Sequence, residues 1–155
     1  MMLGTPIYTY YLHIDVDGWE PPSTGYIKCV LGLFNTGVKY IHYRISPSGN
    51  YHIVVKLTNP IDTEHTALVE ALLGSDLIRS CLIDFRQKNG FYLDTFFRGR
   101  FIRNQTPKRR WTCRDVEQYM QLVCPRLVRY LVMMGVEEPC RLINNRPWEL
   151  GWLRC

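Results

Sequence analysis

Ile7-Tyr8-Thr9-Tyr10-Tyr11-Leu12-His13-Ile14-Asp15-Val16 is a run of β-branched and aromatic residues that ends on an acid, with a second acid, Asp17, immediately after it. That composition reads as a strand, and a strand sends alternate side chains to opposite faces. Tyr8, Tyr10, Leu12, Ile14 and Val16 share one face, whereas Thr9, Tyr11, His13 and Asp15 share the other, with Asp17 in phase just beyond them. The two aspartates therefore project from one side, roughly 7 Å apart. Burying both without a partner is costly, so the pair is either an exposed strand end or the two arms of a divalent-cation site. One face is built for a core and one is not.

Working outward, Pro21-Pro22-Ser23 breaks the chain and Ser23 is placed to cap a helix over Thr24 to Asn35, with Tyr26, Ile27, Val30, Leu31 and Phe34 as its buried stripe and Gly37 as its stop. Val38 to Ser46 and Tyr51 to Leu57 read as two strands joined by the turn Pro47-Ser48-Gly49-Asn50. In the first, Ile41, Tyr43 and Ile45 share a face opposite Tyr40, His42, Arg44 and Ser46; in the second, Tyr51, Ile53, Val55 and Leu57 oppose His52, Val54 and Lys56. After Asn59-Pro60, two helices are expected, Thr63 to Leu73 and Ser75 to Lys88, the second burying Leu77, Ile78, Cys81, Leu82 and Phe85. A fourth strand is expected within Phe91 to Ile102. Thr112 to Asp115 has the spacing of a capping box and opens a helix that Pro125 should kink or restart.

The order strand, helix, strand, strand, helices, strand predicts an α+β fold: a ferredoxin- or RRM-like β-α-β-β-α-β sheet over residues 1–104 with one open face, and a C-terminal helical extension over residues 105–155 packed on it as part of a single domain. His13, Asp15, His42, Arg44, Ser46, His52 and Lys56 all fall on the open face. The topology sets the first and third strands side by side, which brings the Asp15–Asp17 end towards His52.

At 155 residues, 46% hydrophobic and 21% charged, the chain has the composition of a globular protein. No apolar run has the length of a bilayer span, and the start has no basic flank followed by an apolar stretch, so the expectation is an intracellular, cytoplasmic protein with no membrane role. Six cysteines lack CxxC or zinc-type spacing and read as reduced, mostly buried thiols; disulfides are the alternative if the source is a hyperthermophile. The net charge of +5 is concentrated in Arg98, Arg100, Arg103, Lys108, Arg109 and Arg110, a window without acids. That is the footprint expected for a polyanion such as nucleic acid, or else a solvated loop.

Two carboxylates with Mg²⁺ or Mn²⁺, a histidine and basic groups beside them suit phosphoryl chemistry on a nucleoside triphosphate. Ile14-Asp15-Val16-Asp17 resembles the hydrophobe-Asp-hydrophobe-Asp motif of the archaeo-eukaryotic primase superfamily, and Ser46-Pro47-Ser48-Gly49-Asn50-Tyr51-His52-Ile53 resembles its second motif. The resemblance covers about 90 residues and implies an RRM-type sheet, metal ions and nucleotidyl transfer to a 3′ end by a minimal or divergent member, of the kind carried by a mobile element or an archaeal virus. By carry-over, Asp15 and Asp17 would be metal ligands and His52 would contact the nucleotide's phosphates, with Ser48 and Gly49 beside it; Ser46, Arg44 and Lys56, from the same open face, are further nucleotide-binding candidates. A third acid is either Asp94, after Leu93, or Asp84, after Ile83; Asp94 fits the expected topology better.

Two other classes stand beside the transferase. A non-catalytic module would hold single-stranded nucleic acid by stacking on Tyr11 and Tyr40 and by charge from the basic segment. A rolling-circle initiator nuclease uses the same sheet but needs two histidines around a hydrophobe on one strand, where His52-Ile53-Val54 supplies one.

Overall fold

In the computed structural model, which describes residues 7–18, 20–91 and 111–155, the N-terminal run forms β1 (Tyr8–Val16). It is followed by α1 (Thr24–Gly32), β2 (Val38–Ile45) and β3 (Tyr51–Asp62), then α2 (Thr66–Leu72) and α3 (Leu77–Lys88), and finally α4 (Cys113–Val123) and α5 (Pro125–Met133). The architecture is α+β. The described sheet has the order β1-β3-β2, and both pairings are antiparallel. The expected fourth strand beyond Phe91, with Asp94 and Leu93, and the six basic residues Arg98 to Arg110 lie outside the described residues, as does the 104/105 boundary.

The alternation in β1 is carried into three dimensions. Leu12, Ile14 and Val16 are fully buried, as are Ile53 and Val55, with Leu57 only 1% exposed. They share one hydrophobic cluster with Ile27 and Leu31 of α1, Leu68 and Leu72 of α2, Val116 and Met120 of α4, and Leu127 and Leu131 of α5. The C-terminal helices thus close the same core as the sheet. β2 lies at the edge of the described sheet, and its apolar side is less covered, leaving Tyr43 and Ile45 exposed.

Local signals set most helix starts. The Ser23 hydroxyl accepts from the Tyr26 amide at 3.1 Å and caps α1. Thr112 and Asp115 exchange both bonds of a capping box at the start of α4, and the chain restarts at Pro125 as the first residue of α5. Proline fits that first position because its missing N–H would have no intrahelical partner there.

Several boundaries differ from expectation. α1 stops at Gly32, not Asn35: Leu33 and Phe34 tighten to bonds three residues back, and Asn35 takes a left-handed φ of 58°. β3 runs on to Asp62 through Asn59-Pro60. Its register against β1 shifts between Thr9 and Tyr11, so Pro60 sits in an irregular stretch where a missing N–H costs no ladder bond. The segment from Thr63 begins as a 3-10 turn, Thr63–His65, before α2. α3 starts at Leu77, with the Asp76 carboxylate accepting from the Ile78 and Arg79 amides.

The buried side of α3 also differs. Phe85, expected inward, is 46% exposed, while Arg79, Ser80, Asp84 and Gln87 are buried. Each charge has a partner that no local pattern announces: Arg79 meets Glu70 of α2, and Asp84 meets Arg126 of α5 at 2.8 Å. The cysteines differ too. In place of reduced thiols, all six are joined in disulfides, Cys29–Cys155, Cys81–Cys124 and Cys113–Cys140, because folding brings residues distant in sequence to Cα separations of 5.2–5.7 Å. Among the described residues, no helix is long and apolar enough to cross a membrane.

Candidate active site on the open face of the sheet

The pairing registers stack the open face into three cross-strand rows: Tyr11, Lys56 and Tyr40; His13, Val54 and His42; Asp15, His52 and Arg44. The last row lies beside the turn between β2 and β3. His52 Nε2 is 3.5 Å from Asp15 Oδ1, and Arg44 Nη2 donates to His52 Nδ1 at 3.1 Å. A guanidinium only donates, so Nδ1 must be the accepting nitrogen, and the ring carries its proton on Nε2, facing Asp15. Asp17 follows β1 directly and is half-buried, and its charge acts on the His52 ring.

The electrostatics disfavour the protonated form of this imidazole. Burial lowers its pKa first, then the positive charges of Arg44 and Arg79, against a smaller opposing pull from Asp17. A histidine that binds its proton less tightly folded than unfolded withdraws stability on acidification: the loss starts as the pH falls through the unfolded value of about 6.5 and is complete below the folded pKa. In metal-free protein, the His52 ring signals followed by NMR should titrate below an ordinary histidine, and Arg44→Gln should move that midpoint upward. An unmoved midpoint would show that Arg44 does not act on the ring.

The turn holds itself together. The Ser46 and Ser48 hydroxyls are 2.9 Å apart, the Ser46 hydroxyl accepts from the Asn50 amide, and the Gly49 amide donates to the Ser46 carbonyl. Gly49 has φ +86°, a conformation that glycine tolerates. Ser46 is buried and Ser48 exposed, so Ser46 shapes the turn while Ser48 is the hydroxyl open to a ligand.

Lys56 is not part of the Asp15 row. Four residues along β3 from His52, about 13 Å, its ammonium stands 4.2 Å from the Tyr11 ring centroid and 4.9 Å from that of Tyr10. Tyr11 and Tyr40 are 40% and 48% exposed. Hydrogen bonding to Lys56 and then to Tyr40 lowers the Tyr11 pKa, and the bond to Tyr11 raises that of Tyr40, so the row is one connected patch.

Asp15 and Asp17 are two half-buried carboxylates at the end of β1, donors of the type that suits Mg²⁺ or Mn²⁺, ions that take one or two protein carboxylates and keep several waters. Asp94, expected as a further ligand, lies outside the described residues. Asp84, its alternative, is in α3, 1% exposed and paired with Arg126, away from this face.

Four residues of α2, α3 and the link between them set the position of β1, and Arg79, a phosphate-clamp or surface cation on sequence grounds, is one of them and is buried. Its outer edge is occupied by the α2–α3 hairpin. The His13 amide donates to Glu70 Oε2 at 2.9 Å, and Arg79 Nη1 donates both to the His13 carbonyl at 2.9 Å and to Glu70 Oε1 at 3.2 Å. One step on, the Asp15 amide donates to Ser75 Oγ at 3.0 Å and the Asp76 amide to the Asp15 carbonyl at 2.8 Å. The side chains of an acid and a base thus stand where a neighbouring strand would bond, and they hold the backbone from which Asp15 projects. The available signal was a single charge in each of two apolar runs, Ala67-Leu68-Val69-Glu70-Ala71-Leu72 and Leu77-Ile78-Arg79.

No protein family matches the chain, and neither a curated protein nor a solved structure matches it.

Proposed function

We propose that this chain is a metal-dependent nucleotidyltransferase of primase–polymerase type that extends DNA or RNA ends from nucleoside triphosphates. The observation that carries the proposal is the row Asp15–His52–Arg44 with Asp17 beside it, assembled from three strands on the open face. Asp15 and Asp17 would hold Mg²⁺ or Mn²⁺, which when bound neutralises triphosphate charge and activates the attacking hydroxyl. His52, whose Nδ1 accepts from Arg44, would turn its Nε2 proton from Asp15 to a phosphate oxygen once the carboxylate is engaged by the metal. Arg44 orients that ring and adds charge at the same end, with Ser48 beside it. The rest of the proposal is an intracellular setting and a basic segment, Arg98 to Arg110, that neutralises the nucleic-acid backbone; a ferredoxin-like fourth strand would need the edge of β1 that Glu70, Ser75, Asp76 and Arg79 occupy from His13 to Asp15. Incorporation of labelled nucleotide on a primed template, dependent on Mg²⁺ or Mn²⁺ and abolished by a chelator, tests it; no incorporation with either ion would overturn it.

A second reading, single-strand binding without catalysis, is favoured by the Tyr11–Lys56–Tyr40 row. Two exposed rings flanking an ammonium suit bases and a phosphate backbone, and stacking contributes about 1–3 kcal/mol per base. Tyr11→Ala and Tyr40→Ala should each weaken binding of a fluorescent single-stranded oligonucleotide about 10-fold at fixed salt. Anisotropy titrations that overlay the unaltered protein would remove this row from the nucleic-acid path. Binding without incorporation would favour the second reading over the first.

A further inference from the structure

We infer that, in the reduced protein, Cys113, Glu117 and Cys140 form a zinc site, so that this corner of the C-terminal helices exchanges a disulfide for a metal ion. It lies apart from the sheet face and does not depend on the function proposed there. One ligand atom from each of the three residues lies within 4.8 Å of the other two, and among the described residues no other group of three His, Cys, Asp or Glu does so. Cys140 Sγ is 3.6 Å from Glu117 Oε1, and the Cα atoms of the two cysteines are 5.2 Å apart. Tetrahedral zinc with Zn–S of about 2.3 Å and Zn–O of about 2.1 Å sets sulfur and oxygen ligands about 3.6 Å from each other. The carboxylate is therefore already at ligand distance from one sulfur.

The fold explains why these three meet. Cys113 is the first residue of α4, held by the Thr112–Asp115 capping box. Glu117 is four residues on, so it shares the face of Cys113. Cys140 is brought against them by the 3-10 turn Pro139–Ile143 and is 1% exposed, whereas Cys113 and Glu117 are exposed, which leaves a fourth position open to water. A helix N-terminus favours the thiolate of Cys113. Two thiolates and a carboxylate exceed the ion's charge by one, and Arg114 and Arg141 adjoin the two cysteines in sequence.

The exchange balances with a dithiol as reductant. Two electrons and two protons turn the disulfide into two thiols while the dithiol becomes a disulfide; Zn²⁺ then displaces both thiol protons. The other two bridges have no third ligand within that range among the described residues, so they would reduce without gaining a site.

The test uses the full chain and a quadruple variant, Cys29→Ser, Cys81→Ala, Cys124→Ala and Cys155→Ser, that keeps only this pair. Each is titrated with Zn²⁺ against a chromophoric chelator before and after anaerobic reduction, with Co²⁺ as a spectroscopic probe. We expect one equivalent of zinc in the reduced forms and none in the oxidised ones, with thiolate-to-cobalt charge transfer in the near ultraviolet. Cys140→Ser should abolish uptake and Glu117→Gln should weaken it about 10-fold or more. Reduced protein that takes up no zinc, that binds it equally well after both substitutions, or that unfolds on reduction and is not refolded by zinc, would overturn the inference.

Discussion

Asp15→Asn and Asp17→Asn are each expected to lower metal-dependent nucleotide incorporation on the order of 10²- to 10³-fold, with little change in thermal unfolding. The magnitude follows from what is removed. A bound divalent ion supplies several kcal/mol of charge stabilisation in the transition state, and each 1.36 kcal/mol is tenfold in rate. The amide keeps the shape of the carboxylate while removing the anion that would hold the cation. Stability should change little because the backbone of Asp15 is held in either variant: its amide is bonded to Ser75 and its carbonyl to Asp76. The measurement is a single-turnover extension assay in Mg²⁺ and in Mn²⁺, with circular dichroism on the same samples. Incorporation undiminished in both variants would remove these residues from the site. Oligonucleotide affinity should not follow the loss, because Tyr11, Lys56 and Tyr40 lie in a different row.

The largest expected effect on stability comes from Arg79→Ala. It removes the cation beside Glu70, which is fully buried, together with the donor to the His13 carbonyl. Removing one member of a buried ion pair typically costs about 3–5 kcal/mol, because the remaining charge stays desolvated. Equilibrium urea denaturation should show a loss of that order, with Glu70→Ala in the same range. Replacing both, as Glu70→Leu with Arg79→Met, should recover much of it, since an apolar pair of similar volume carries no desolvation penalty. A single substitution costing less than about 1 kcal/mol, in the range of a surface ion pair, would show that this pair does not hold the edge of β1. Because the same edge carries Asp15, Arg79→Ala should also impair the candidate site.

The outcome for the cysteines bears on setting as well as stability. Bridges are rare in the cytosol of mesophiles and common in intracellular proteins of hyperthermophiles. Three bridges in one chain suit an oxidising compartment or, for an intracellular role, a hyperthermophilic source.

Read alone, the residues determined what local periodicity and local chemistry control. The two-residue alternation of Tyr8 to Val16 and of Tyr51 to Leu57 sorted core from open face, and Pro47-Ser48-Gly49-Asn50 marked the hairpin. Ser23, Thr112 with Asp115, and Pro125 marked helix starts, because a cap acts within three residues of its own position. From those faces, an antiparallel neighbour for β1 was enough to bring Asp15 beside His52, 37 positions on, and their side chains are 3.5 Å apart. Tertiary structure alone decided which charges are buried and what meets them. Glu70 and Arg79 at the edge of β1, Asp84 with Arg126, the cysteine pairs and the passage of β3 through Pro60 all depend on partners far along the chain. The physical reason is that a buried charge or a missing backbone donor is tolerated only where a distant group compensates it or the ladder does not need it, and a linear pattern carries neither piece of information.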